Sequence, residues 1–468
     1  MISIELTIII AYLILIYFIA YKSRSNKKLT TPHSSKNEVV KNEYLAGQSI
    51  STTESLFSII ATEVSALTFI GIPAFAYGLD FRFIYLYFGA IIGRSFLALF
   101  YLPRFYGSYT TIYERITKDQ PSRVFITSIY MATKLLSIGV RLYSGSILIS
   151  EYFSINIYIA IILLSILTMT YTMIGGLKAV IRTDLIQTLV FIIGGISAHL
   201  IIPKIAEMNW SSMMLHGFNS GKVITFELHY LKVVAVGFFG GIIFDMATHG
   251  VDQDFAQRLL STKNLKSAQK SIFLSSFLSI FVGLLFLGIG TLLWVYHQGS
   301  PLPATTKTDY VFALFITKHF PPVIKGLMLS GVLAATMSTL DSTINALSSC
   351  ITADFFPNRK SSNISKWMKV DAFVITTILV SISFLASKSE HILTLGLKIA
   401  SWSGGYLLFS LSTALFTKKL LNLHEYVFFY LINLGTIYLF NIILKMPWQW
   451  NTAISMFTCA IILKIYKK

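Results

Sequence analysis

A stripe of oxygen-bearing side chains runs along one long apolar segment of this sequence. At intervals of three, one and three residues come Ser338, Asp341, Ser342 and Asn345. This spacing places all four on one face of a helix. A hydroxyl alone could bond back to its own helix, but a carboxylate in hydrocarbon needs a partner, and no Lys or Arg lies within a turn of Asp341. Because a small hard cation binds hydroxyl, carbonyl and carboxylate oxygens together, the stripe predicts a cation site.

The elements that position this stripe are predicted to be membrane helices. The mean hydropathy is +0.68, and charged residues make up 13% of the chain, against about 25% in soluble domains. Apolar stretches long enough to cross a bilayer lie at 2–21, 53–77, 82–102, 124–149, 155–174, 184–202, 232–248, 271–296, 322–351, 369–386, 391–416, 425–444 and 449–466. The sequence therefore predicts an all-α integral membrane protein with about thirteen transmembrane helices, in a single domain over 1–468.

The net charge of +17 is read as a topology signal and not as a nucleic-acid site. The basic residues concentrate in alternate loops, as the positive-inside rule requires of the cytoplasmic side. The first span has no positive N-terminal flank and no cleavage motif, so it is predicted to be a retained helix and not a signal peptide. We expect a multi-pass protein of the cell membrane with its N-terminus outside and its C-terminus in the cytoplasm. The lipid bilayer is its environment, and no obligate protein partner is indicated.

Among the acidic residues within or at the edge of predicted spans, four stand in stretches whose sequence a helix would not otherwise need: Glu63, Asp184, Asp245 and Asp341. The span around Glu63 is interrupted by hydroxyl residues and closed by Gly71 and Pro73, whereas Asp245 follows a glycine-rich stretch at 237–241. Two interrupted spans, the second and the seventh, are typical of transporters built from inverted five-helix repeats, in which broken backbone lines a cavity. For each break, the alternative is a kink or close helix packing through glycine.

Four blocks of the sequence, at 61–71, 171–187, 252–260 and 326–342, resemble those of the sodium:solute symporter family. The runs Gly-Gly-Leu-Lys-Ala-Val-x-x-Thr-Asp and Ala-x-x-Ser-Thr are its most specific signatures, and the resemblance extends over about 42–420. It implies a leucine-transporter-type fold with inverted repeats at about 53–202 and 232–416, a preceding helix at about 2–21 and extra helices at about 425–466. It also implies that a small organic solute is imported with sodium by alternating access, without enzymatic chemistry.

The resemblance also implies ion-binding residues. A sodium site would be formed by the carbonyl oxygens of Ala61, Val64 and Ala335 and by the hydroxyls of Ser338 and Thr339. A candidate second site, for sodium or a proton, would be formed by Asp184, Asp341 and Ser342. Some family members have serine at the position of Asp341, so the aspartate could strengthen this site or accept a proton.

The positions that would face the solute, again by resemblance, are Glu63, Thr68, Asp245 and Tyr87. Two carboxylates facing one cavity would repel an anion. Either the solute is therefore cationic or amine-bearing, or one acid is protonated. The alternative is that Glu63 or Asp245 pairs with a basic residue within the spans, such as Arg94, Lys134 or Arg141.

Three other functional classes compete with sodium symport. A proton-coupled carrier of the same fold is the closest. A solute sensor would need an attached signalling domain, and the sequence ends at Lys468 directly after its last predicted helix. A membrane enzyme would need a catalytic set, and the nine histidines form no HExxH pattern.

Overall fold

The computed structural model describes residues 3–23, 42–107, 109–223, 231–299, 307–359, 363–389, 391–417 and 419–466. Within these ranges the chain is helical, and one isolated bridge between Ile50 and Thr262 is the only β pairing. The principal helices are α1 (Ile4–Ser23), α2 (Thr52–Glu63), α3 (Ile72–Gly78), α4 (Ile84–Phe96), α5 (Gln120–Phe153), α6 (Ile157–Ile205), α7 (Trp210–Asn219), α8 (Leu231–Val251), α9 (Gln253–Leu260), α10 (Leu265–Tyr296), α11 (Pro322–Cys350), α12 (Ile364–Ala386), α13 (Ile392–Phe416), α14 (Leu423–Tyr438) and α15 (Asn451–Tyr466).

Among the described residues, ten helical segments are long and apolar enough to cross a membrane, and a bent pair raises the count to eleven. The count of thirteen is therefore not confirmed. Two of the predicted spans, 155–174 and 449–466, correspond to shorter helices. These are the first part of α6, Ile157–Met173, and α15, which has 16 residues.

The bent pair is the predicted break in the second span. α2 begins with a capping box between Ser51 and Glu54. It ends at Glu63, where Val64 leaves the helical conformation with φ −79° and ψ 99°. A π-helical turn, Leu67–Gly71, then leads into α3, and the two halves are bent by 57°. The prediction of an interrupted span is confirmed here.

The predicted break at the glycines of the seventh span is wrong. α8 continues as one helix through Gly237 and Gly241, and both residues serve close packing against α4. A Cβ added at Gly237 would lie 2.7 Å from the Cβ of Tyr85, and one at Gly241 would lie 2.8 Å from the carbonyl oxygen of Leu86. The interruption comes beyond the glycines, at Asp252, whose extended backbone separates α8 from α9.

The predicted spans leave a loop between the fifth and the sixth, and this prediction is also wrong. The chain from Ile157 to Ile205 is one helical run that is broken at Gly176, with φ 60° and ψ −172°. Glycine reaches this conformation without the strain that a Cβ would cause. Lys178 and Arg182, which the predicted spans leave in a loop, therefore lie on α6. The positive-inside argument also uses basic residues in 24–41, which lie outside the described residues, as do Lys418, Lys467 and Lys468.

α11 lies at the centre of the helix bundle. Every residue from Met328 to Cys350 is buried, and the helix packs against α1, α5 and α6. The predicted ligand stripe is thus enclosed by other helices and does not face lipid.

Candidate functional site

The residues predicted to bind sodium meet where α11 passes the break after α2. The Ser338 hydroxyl donates to the carbonyl of Ala61 at 2.9 Å and to that of Ala335 at 3.2 Å. The Thr339 hydroxyl also donates to Ala335, at 2.9 Å. All four residues are buried, and Val64 terminates α2 beside them. Hydroxyl and carbonyl oxygens of this kind are ligands for a hard cation, since each hydroxyl can rotate to present a lone pair.

The residues of the candidate second ion site form a connected buried cluster. Asp184 on α6 is 3.2 Å from the guanidinium of Arg258 on α9. Arg258 also donates to the Ser342 hydroxyl, which donates to Asp341 Oδ1 at 3.1 Å. The sequence offered no basic neighbour for this stripe within a helical turn. Arg258 supplies one from a distant part of the chain, because α9 packs against α11.

Arg258 does not satisfy every carboxylate of this cluster. It is also paired with Asp254, at 2.8 Å. Asp184 Oδ1 and Asp341 Oδ2 are buried without a hydrogen-bond partner, and within the described chain Asp341 makes no ion pair. A buried carboxylate oxygen without a partner is costly, so the arrangement suits a further proton or cation at Asp341.

The four predicted solute-facing residues line one cavity. Glu63, Thr68, Tyr87 and Asp245 all contribute to its wall, and it encloses about 150 Å³ of space. The wall is built from the α2–α3 break and from α4, α5, α8 and α13. The break after α2 therefore borders both the predicted sodium ligands and this cavity.

The two cavity carboxylates are paired, as the alternative interpretation required. Arg94 on α4 is fully buried and lies 2.8 Å from Glu63 Oε1 and 3.1 Å from Asp245 Oδ1. The Nη1 of Arg94 donates to the hydroxyls of Ser275 and Ser279 on α10. The guanidinium of Arg94 thus offsets one of the two negative charges.

His249 completes this group, and sequence reasoning missed it. Its Nδ1 lies 3.2 Å from Asp245 Oδ1 and its Nε2 lies 3.8 Å from Glu63 Oε2. The spacing of four residues between Asp245 and His249 on one helix was the available signal. One possible metal-ligand atom from each of Glu63, Asp245 and His249 lies within 4.8 Å of the other two. This set could ligate a metal ion, but both of its carboxylates already pair with the guanidinium of Arg94.

Two basic residues of α5 also line the cavity, and they differ in their partners. Lys134 is paired with Asp252 at 2.7 Å and with Asp254 at 3.1 Å. Arg141 donates only a long hydrogen bond, 3.4 Å, to the carbonyl of Thr62. Its Nε is buried without an acceptor, and no carboxylate of the described ranges forms an ion pair with it.

Comparison with known proteins gives consistent results. The model of the Sodium:solute symporter family matches residues 44–422. The sodium/sialic acid symporter SiaT of Proteus mirabilis (strain HI4320) is 28% identical over 337 residues, which are 69% of this chain and 67% of that protein. The sodium-dependent multivitamin transporter of Oryctolagus cuniculus is 26% identical over 373 residues, which are 75% of this chain and 58% of that protein. The chain thus spans 58% to 67% of the length of these two relatives.

A solved structure extends the likeness to nearly the whole chain. It is the substrate-bound outward-open state of a Na⁺-coupled sialic acid symporter, with a TM-score of 0.86 and 22% identity. The superposition covers 98% of this chain and 96% of that one. It confirms the predicted leucine-transporter-type fold. The relatives are carriers and not enzymes.

Proposed function

The chain belongs to the sodium:solute symporter family, and we propose that it imports a small organic solute together with sodium by alternating access. One observation carries this proposal. The Ser338 hydroxyl of α11 bonds to the carbonyl of Ala61 at the end of α2, which is where the resemblance places sodium. The ligands would be the carbonyls of Ala61, Val64 and Ala335 and the hydroxyls of Ser338 and Thr339.

Coupling would follow from the position of the α2 break. Sodium would join the end of α2 to α11, while Glu63 and Thr68 on either side of the break line the cavity. Both ligands would then favour the same conformation of one element. Two ligands that bias a shared equilibrium raise each other's affinity by the same factor. Glu63, Thr68, Asp245 and Tyr87 are accordingly the proposed solute-facing residues.

Asp184, Asp341 and Ser342 are proposed as a second ion site. Two buried carboxylate oxygens without partners support this. The extra carboxylate at Asp341 could hold either sodium or a proton. Sodium-to-solute stoichiometry measured in wild-type protein and in Asp341→Asn, at two pH values, distinguishes the two ions.

The multi-pass chain is further proposed to lie in the cell membrane with its N-terminus outside and its C-terminus in the cytoplasm. The inverted repeats would run over about 53–202 and 232–416, and the interruptions after α2 and α8 support that division. Single cysteines labelled with an impermeant reagent test the orientation. Positions in 210–219 should react from outside, and positions in 263–269 should react only after permeabilisation. The opposite pattern would reverse the orientation.

Uptake into proteoliposomes tests sodium coupling. Radiolabelled candidate solutes, among them sialic acid, biotin and lactate, should accumulate only with an inward sodium gradient. Replacing sodium by choline at fixed pH should abolish accumulation. Uptake that follows a pH gradient in choline would instead identify a proton-coupled carrier. Binding without uptake under any gradient would favour a sensor.

A further inference from the structure

We propose that Tyr12 of α1 and Gln187 of α6 complete the second ion site as neutral oxygen ligands, and that the ion is sodium. This inference rests on the proposed function, since it assumes that Asp184, Asp341 and Ser342 bind an ion. It goes further in adding two ligands, one of them from the first helix, and in choosing sodium over a proton.

Three helices bring Tyr12 and Gln187 to the acids of this site. Asp184 and Gln187 are three residues apart on α6, which places them on one face of that helix. Tyr12 faces the Gln187 amide, and its hydroxyl lies within electrostatic reach of Asp341 and Asp184. This is possible because α1 packs against both α6 and α11.

Polar atoms without partners are concentrated among these four residues. The Tyr12 hydroxyl and both polar atoms of the Gln187 amide are buried without a hydrogen bond, as are Asp184 Oδ1 and Asp341 Oδ2. Only 5% of Tyr12 and 1% of Gln187 are exposed. Because an unsatisfied buried polar atom is destabilising and rare in folded proteins, this concentration indicates that a ligand belongs among them.

The Tyr12 hydroxyl is unusual on its helix. The rest of the buried face of α1 consists of Ile9, Ile16, Ala20 and Ser23. The other tyrosine near this face, Tyr17, has a partner, since its hydroxyl donates to the Leu167 carbonyl at 3.1 Å and lies 2.6 Å from the Thr170 hydroxyl. Packing alone would be served at position 12 by phenylalanine, which carries no hydroxyl to desolvate. A bound ion gives the hydroxyl of Tyr12 a purpose.

The charges around the site favour a cation over a water molecule. Two cations and four carboxylates meet around α9: Arg258, Lys134, Asp184, Asp252, Asp254 and Asp341. Neither cation forms an ion pair with Asp341 within the described chain. A buried water would supply hydrogen bonds but would leave the excess negative charge in place. A monovalent cation would reduce that charge, which is costly at membrane depth.

The number of free oxygens favours sodium over a proton. A proton on Asp341 Oδ2 would satisfy that atom and leave Asp184 Oδ1 and the Gln187 amide as they are. A hard cation takes several oxygen ligands at once, and the phenol and the amide each offer lone pairs without losing a proton. Sodium could thus bind both carboxylates, Gln187 Oε1 and the Tyr12 hydroxyl oxygen together. The Gln187 Nε2 would then be available to donate to a carboxylate.

This arrangement would give α1 a part in ion binding. α1 precedes the proposed inverted repeats, and the first proposed sodium site uses only α2, the residue that ends it, and α11. The second site would use α1, α6 and α11. The two ions would therefore meet on α11, and the second would hold the first helix against it.

Thermal unfolding of the full purified chain tests the inference. Sodium chloride is exchanged for choline chloride at constant ionic strength in Ser338→Ala protein, in which the first proposed site is weakened, so that the remaining sodium response reports the second. Adding Tyr12→Phe or Gln187→Met should raise the half-saturating sodium concentration of this response about tenfold, as expected for one lost contact to a charged group.

Two comparisons separate a ligand from a packing residue. In choline alone, Tyr12→Phe should unfold at the same temperature as its parent or at a higher one, because it removes a buried hydroxyl that has no partner. A residue that only stabilises the fold would lower this temperature instead. Tyr17→Phe is the matched control on the same helix, since its hydroxyl already has partners in the protein, and the sodium response should stay as in the parent.

The inference is overturned if neither Tyr12→Phe nor Gln187→Met changes the half-saturating sodium concentration, or if Tyr17→Phe changes it as much. It is also overturned if Ser338→Ala protein keeps no sodium response. Either result would leave the first sodium site and symport intact. A wild-type protein without any sodium response would instead contradict the proposed function, and this inference with it.

Discussion

The proposed sodium site and the proposed solute cavity share the break after α2, yet they are built from different chemistry. On the proposed sodium side, neutral hydroxyls meet carbonyls: Ser338 donates to Ala61 and Thr339 donates to Ala335. On the cavity side, Glu63 and Asp245 share the guanidinium of Arg94. A neutral site takes its charge from the ion that it binds. A charged site must be balanced internally before it can select a solute, and the two regions should therefore respond differently to mutation.

The largest effect is expected from Arg94, on the cavity side. Arg94→Gln would leave Glu63 and Asp245 buried without their cation. Removing one partner of a buried ion pair costs about 3–5 kcal/mol, so the thermal unfolding temperature should fall sharply. Adding Glu63→Gln to Arg94→Gln should recover part of the loss. No recovery would show that Arg94 stabilises the fold through packing alone and that the cavity charges are not balanced as described.

Substitution of the four membrane acids should separate the two regions. Glu63→Gln and Asp245→Asn should weaken solute binding or change its selectivity, about tenfold, because a charge is felt strongly at contact and weakly at a distance. Sodium affinity without solute should change little in these variants. Asp184→Asn and Asp341→Asn should do the reverse and alter ion coupling. Titrations with sodium and with solute decide the matter, and equal shifts of sodium affinity in all four would remove the distinction.

The glycines of α8 should show a smaller effect, on stability. Gly241→Ala would bring a Cβ to 2.8 Å from the Leu86 carbonyl, and overpacking of this kind costs about 1 kcal/mol or more. Gly435→Ala on α14 is the matched control. Beyond its own helical backbone, no described atom lies within 4 Å of a Cβ there, and alanine should be stabilising by about 0.5–1 kcal/mol within a helix. Thermal unfolding that is unchanged in Gly241→Ala would contradict the close contact between α8 and α4.

The two regions also differ in how far the sequence predicts them. Ser338 belongs to the stripe that helical spacing predicts, and Thr339 lies in a signature that the family resemblance supplies. Hydroxyls with Gly71 and Pro73 mark the first break, which local sequence therefore predicts. The break predicted at the glycines of α8 is wrong because close helix packing and a helix break have the same local composition. The pairing of Arg94 with Asp245, and of Arg258 with Asp184, joins distant parts of the chain. No local pattern encodes such contacts, which only the packed helices define.

Sodium titration of hydroxyl variants on α11 tests the proposed sodium site most directly. Unfolding temperature or sodium binding is measured at constant ionic strength, with choline as the replacement ion, in wild-type protein, Ser338→Ala and Thr339→Ala. Ser330→Ala is the matched control, because Ser330 is buried on the same helix and bonds only to the Gly326 carbonyl. The half-saturating sodium concentration should rise about tenfold or more in each of the first two variants and stay unchanged in the control. Unchanged sodium dependence in both Ser338→Ala and Thr339→Ala would remove the sodium site from α11.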